Sequence, residues 1–114
     1  MTLKYSPEFR RDLRRQKAYY TKHGAKEYAD SIGIRILGAC SDLKSFPENG
    51  MSAADRFEIK TDMLFLVVER FLIFYRIDQD IIEIIRLFDT RTDILFRMFG
   101  VDTDDPKSEA YWDE

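Results

Sequence analysis

The 114-residue sequence predicts an α+β fold of order β-α-α-β-β-β, an antiparallel sheet with an αα-hairpin packed on one face. Three observations carry this expectation. Apolar residues recur every three or four positions from Phe9 to Leu43. After Pro47 the pattern switches to strand-like runs, and from residue 63 onward these runs are joined by connections too short for anything but antiparallel pairing.

TLKYS (2–6) alternates apolar and polar side chains and reads as a short strand near 3–5. Ser6-Pro7-Glu8 then opens a helix: a side-chain oxygen for the N-cap, a proline where no N–H is needed, and an acid in the first turn. Phe9, Leu13 and Tyr20 continue at helical spacing, Arg10, Arg11, Arg14 and Arg15 lie on other faces, and Gly24 supplies the stop. A second amphipathic helix follows through Ala25, Ala29, Ile32, Ile36, Cys40 and Leu43. Gly33 and Gly38 inside it each cost about 1 kcal/mol relative to alanine, which points to close approach of a neighbouring element. Pro47 ends the helix, and Glu48-Asn49-Gly50 is a turn.

RFEIK (56–60) alternates and is expected as a strand, followed by strands near 63–69, 71–77 and 81–88 with turns at Glu69-Arg70 and Asp78-Gln79-Asp80. Residues 93–99 suit a last helical turn, and Met51, Met63 and Met98 read as core filling. Two arginines, Arg76 and Arg86, interrupt the apolar runs. Strand alternation puts Leu72, Phe74 and Arg76 on one face and Phe71, Ile73, Tyr75 and Ile77 on the other, while Ile82, Ile84, Arg86 and Phe88 share a face of the next strand. The helices take one face of the sheet. On the other, left partly open, the arginines form a cationic patch among aromatic neighbours or serve as paired structural groups. A two-residue loop sets Arg76 opposite Glu83; a three-residue loop sets it opposite Ile82 and Arg86 opposite Leu72.

Composition bounds the function. At 45% hydrophobic and 34% charged the chain belongs with soluble globular proteins. Its start shows no apolar leader, its longest apolar runs are too short to span a bilayer, and lone Cys40 has no partner for a disulfide, so a cytoplasmic location is expected. One histidine and one cysteine are too few for a zinc centre, and neither a glycine-rich phosphate loop nor a Ser-His-Asp set is present; no metal or cofactor is expected. His23, at the end of the first helix, suits a role against the helix dipole. The net charge of −3 is unevenly spread: residues 101–114 hold six acids against Lys107, leaving 17 basic and 15 acidic residues in 1–100. A domain over 1–100 with an acidic C-terminal tail over 101–114 follows.

The element order, Gly24 between the helices, the exit Leu43…Pro47…Gly50, and above all FYRIDQDIIEIIRLFDTRTD resemble the RelE/ParE superfamily of small bacterial toxins from type II toxin–antitoxin modules. The resemblance covers residues 3–97, and FYRI…EIIRLF…R is similar to the ParE branch. It implies a growth inhibitor acting by ribosome-dependent mRNA cleavage, with DNA gyrase inhibition, or a catalytically inactive binding module of the same fold, as alternatives. By the resemblance Arg91, Arg86 and Lys60 are the catalytic candidates, because guanidinium and ammonium groups stabilise charge on a scissile phosphate, and Arg70, Arg76 and Tyr75 bind substrate. Glu58, Phe96 and Asp89 depart from the RNA-cleaving pattern, standing where relatives carry a lysine, a tyrosine and a histidine. The implied partners are a cognate antitoxin and a target, ribosome and message or gyrase, with operator DNA reached only through the antitoxin and no membrane.

Overall fold

A computed structural model describes residues 1–100; the acidic tail expected over 101–114 lies outside the described residues. The elements are β1 (Thr2–Tyr5), α1 (Pro7–Lys22), α2 (Lys26–Asp42), β2 (Met51–Ser52), α3 (Ala53–Phe57), β3 (Leu64–Val68), β4 (Phe71–Asp78), β5 (Ile81–Asp89) and α4 (Ile94–Phe99). The helical hairpin forms from the predicted signals. Ser6 Oγ accepts the Phe9 N–H at 2.9 Å, Pro7 is the first helical residue, and Gly24 turns the chain at φ 78°. Gly33 lies against the Lys17 side chain, whereas a methyl group at Gly38 would meet nothing, so close approach does not account for the second glycine.

The sheet runs β1-β5-β4-β3-β2. β3, β4 and β5 pair antiparallel as expected, and the two-residue loop sets Arg76 opposite Glu83. β1, in contrast, lies parallel beside β5, with Thr2 level with Ile81 and Tyr5 with Ile84, so the sheet is mostly rather than wholly antiparallel. RFEIK is not a strand. Ser52 Oγ caps α3 by accepting the Asp55 N–H at 3.2 Å, Arg56 and Phe57 finish that helix, and Glu58 takes a left-handed φ of 54°. A Ser-Ala-Ala-Asp helix start outweighs an alternation only five residues long.

Both faces of the sheet are covered. Phe71, Ile73, Tyr75, Ile82, Ile84 and Leu87 pack on Phe9, Tyr20, Ala29, Ile32, Ile36, Cys40 and Leu43 of the hairpin. On the opposite face Phe65, Leu72, Phe74 and Phe88 join Ala53, Phe57, Met63, Ile94, Met98 and Phe99, so α3 and α4 roof an aromatic cluster where a partly open cationic face was expected. Each fully buried phenylalanine contributes on the order of 2–3 kcal/mol, enough to recruit two short helices. Met51, expected inside, is half exposed. A β-bulge between Phe74 and Tyr75 shifts the register: Tyr75 pairs with Ile84, Phe74 with Arg86, and Ile85 is the extra residue. The bulge overturns the expected sharing of one face by Ile82, Ile84, Arg86 and Phe88; the first two face the hairpin and Phe88 the second cluster.

Where β1 ends, α1 takes over the edge of β5. Ser6 N–H donates to the Ile84 carbonyl at 2.9 Å, Ser6 Oγ donates to the bulged Ile85 carbonyl at 2.6 Å, and the Leu87 N–H donates to Asp12 Oδ2 at 3.0 Å. Backbone groups that would otherwise form an open edge are thereby satisfied. No helix among the described residues is long and apolar enough to cross a membrane.

Candidate functional site

The β3–β4 turn and the end of β5 meet at one end of the sheet and bring Arg70 and Arg91 onto one carboxylate, Asp89. The Arg91 backbone N–H and Nε donate to Asp89 Oδ1 at 2.8 and 3.1 Å, and Nη2 donates to Oδ2 at 3.1 Å. Arg70 Nε lies 3.8 Å from the same Oδ2, and Arg70 Nη1 donates to the Tyr20 hydroxyl at 2.8 Å. The Asp89 side chain is nearly covered, while the arginine side chains remain 66% (Arg91) and 42% (Arg70) exposed. Burial would raise the Asp89 carboxyl, but hydrogen bonds from the Arg91 side chain and backbone, with the charges of Arg91 and Arg70, outweigh it and hold the group below its ordinary value. Asp89 in turn holds the Arg91 guanidinium firmly charged. Two cations on one anion leave net positive charge facing solvent, presented as planar forks that suit carboxylate or phosphate groups.

Aromatic and acidic residues frame this cluster. Tyr19 packs edge-on against Tyr20, and the His23 ring lies 4.3 Å from the Tyr19 ring with Nδ1 2.7 Å from the Tyr19 carbonyl, consistent with its expected place at the helix end. Across the turn, Tyr28 donates to Glu69 Oε2 at 3.0 Å and Arg35 pairs with the same carboxylate. Beside Arg91 opens a groove of about 440 Å³ whose walls include Met51, Phe57, Val67, Leu72, Thr90 and Ile94. The outer edge of β3 borders it: β2 pairs only with Leu64 and Phe65, and Val67 is 49% exposed.

The other predicted residues are not gathered here. Tyr75 is fully buried on the hairpin side; its hydroxyl donates to the Pro47 carbonyl at 2.8 Å and accepts the Gly50 N–H at 2.9 Å. That tyrosine holds the exit from α2 and has no free face for a substrate. Arg86 grips Asp12 through Nε at 2.7 Å and Nη2 at 3.1 Å, with its guanidinium 4.5 Å from the Phe88 ring centre; it belongs to the structural alternative. Arg76 donates to Asp62 at 2.9 Å, taking that residue rather than Glu83 as its ion-pair partner. Lys60 lies in the loop entering β3. β3 enters the sheet with Leu64 level with Tyr75 and Ile84 and leaves it with Val68 level with Phe71 and Asp89.

Two contributors escaped the sequence reading. Asp12 shares the buried stripe of α1 with Phe9 and Tyr20, and an acid on an apolar face is a signal that a buried cation awaits it. Asp89 was visible only as a departure from relatives, whereas its position two residues before an arginine and at the end of a strand suits a carboxylate anchor.

The sequence matches the model of the family described as the ParE toxin of the type II toxin-antitoxin system, parDE, over residues 3–94. The fold is similar to a chain in a solved structure titled "Chromosomal ParDE TA system from P. aeruginosa", with a TM-score of 0.66 and 20% identity over 78% of this chain and 95% of that chain. No curated protein matches in sequence. With the family match extending from β1 through β5 to the start of α4, the chain belongs to the ParE family of type II toxins.

Proposed function

We propose that this toxin arrests growth by binding DNA gyrase, with Arg70, Arg91 and the adjoining groove as its contact surface, and that an antitoxin encoded beside it covers that surface. The observation that carries the reading is that two of the cations on which RNA cleavage would draw, Arg86 and Arg76, are already held by carboxylates. Attack by a ribose 2′-hydroxyl requires cations, a base and an acid converging on one phosphate. Arg86 gives its fork to Asp12, and Arg76 pairs with Asp62. What remains together is a cationic rim beside an apolar groove, a combination suited to a protein surface. The open edge of β3 beyond Phe65 supports an antitoxin that adds an extended segment there.

Purified protein added to a gyrase supercoiling reaction tests the target, alongside primer extension on messages from arrested cells. The expected outcome is loss of supercoiling with no new message ends. Val67→Asp should restore growth with little change in thermal melting, since that side chain is about half exposed. Arg91→Gln should restore growth while lowering the melting temperature somewhat, since it removes two bonds to the nearly covered Asp89. New message ends with gyrase unaffected would transfer the reading to RNA cleavage.

A further inference from the structure

α1 presents a second cationic surface that the site above does not use. Arg11, Arg14, Arg15 and Lys22 all lie on its solvent-exposed side. At 100° per residue these four and Ala18 fall within one stripe about 16 Å long. Among the described residues none of the four cations makes an ion pair; the acids of α1 are Glu8, at its start, and Asp12, which is buried and committed to Arg86. Arg15 also borders a small groove of about 120 Å³ with Gln16, Arg86, Thr92 and Arg97, which extends the positive surface onto α4.

We propose that this face binds the phosphate backbone of duplex DNA without reading its sequence. Three of the four stripe cations are arginine, whose fork takes phosphate oxygens in pairs. The stripe spans about ten phosphate charges of a duplex, at one per about 1.7 Å of axis. An acidic polypeptide is the competing partner of the same charge. Stable polypeptide interfaces, however, are anchored by buried apolar or aromatic side chains near their centre, and the middle of this stripe offers only Ala18. The surface is distinct from the Arg70–Arg91 site and does not depend on the gyrase reading.

The test is fluorescence anisotropy of a labelled 20-base-pair duplex of arbitrary sequence, titrated with the full-length protein from about 25 to 200 mM salt. Nonspecific binding in the range of about 1–100 μM is expected near physiological salt, with a log–log salt slope near −3.6 for four phosphate contacts. The triple variant Arg11→Gln, Arg14→Gln, Arg15→Gln should flatten that slope by about 2.7. Lys44→Gln, a cation elsewhere on the surface, should leave it unchanged. Circular dichroism melting of the triple variant verifies that the fold persists. Absence of binding at the lowest salt, equal binding by the folded triple variant, or binding of a poly-glutamate peptide in place of the duplex would each overturn the proposal.

Discussion

At the scale of single residues, the Tyr75 hydroxyl shows how a side chain that reads as a ligand contact can be a latch. It joins the carbonyl of Pro47 to the amide of Gly50 and so fixes the chain leaving α2 onto the middle of the sheet. Gly50 has no room for a side chain: an added Cβ would lie 2.5 Å from that hydroxyl and 2.9 Å from the Phe65 carbonyl. Tyr75→Phe leaves two backbone groups without partners and should cost about 1–3 kcal/mol. Gly50→Ala should cost a similar 1–3 kcal/mol or so by overpacking, and urea denaturation of both variants checks the pair. Asp89 carries the pH dependence. Its carboxyl is held below the ordinary value of 3.8, so the stability it contributes is complete above that value and is lost as pH falls through the lower folded one. Melting temperatures of wild type and Asp89→Asn between pH 6 and pH 2 should therefore differ most at the upper end and converge under acid.

At the scale of elements, Ser6 serves two structures with one hydroxyl, capping α1 and closing the bulged edge of β5. Removing a cap alone costs about 1 kcal/mol, and stranding a carbonyl adds about 1 more. Ser6→Ala should thus lower the stability measured by urea denaturation by roughly 2 kcal/mol, more than a cap of an isolated helix would. The first of these roles was legible in Ser6-Pro7-Glu8, because a cap is decided by residues adjacent in sequence. The second was not, since it depends on a bulge at Ile85 that nothing in IIEIIRLF announces. The same division runs through the site. Arg91 and Arg70 could be named from the chain, but that they meet on Asp89 follows from the register of three strands. α3 was missed because five alternating residues mimic a strand, and with it the aromatic cluster that closes the second face.

At the scale of the whole molecule, one residue reports on cooperativity. Cys40 is fully enclosed between α2 and the sheet, and burial pushes its thiol up to about 12. Thiolate is the reactive form, so labelling at pH 8 should be suppressed by orders of magnitude in the native state and should rise only as the fold opens. Labelling rates across a urea gradient should then coincide with the loss of helix signal. A rate that rises well before that transition would reveal α2 detaching from the sheet while the remainder stays folded.

The parallel pairing of β1 with β5 also sets a timetable. Among the described residues β5 is the last strand to be synthesised, yet it lies inside the sheet, between the first strand and β4. The bond from Ser6 to Ile85 spans 79 residues, and translation at about 5–20 residues per second separates its two ends by about 4 to 16 seconds. Throughout that delay β1 has no neighbour to join, and neither Asp89 nor Arg91 has been made. On the proposed role of Arg70 and Arg91, the contact surface is therefore completed only once β5 has been made, long after α1 and α2.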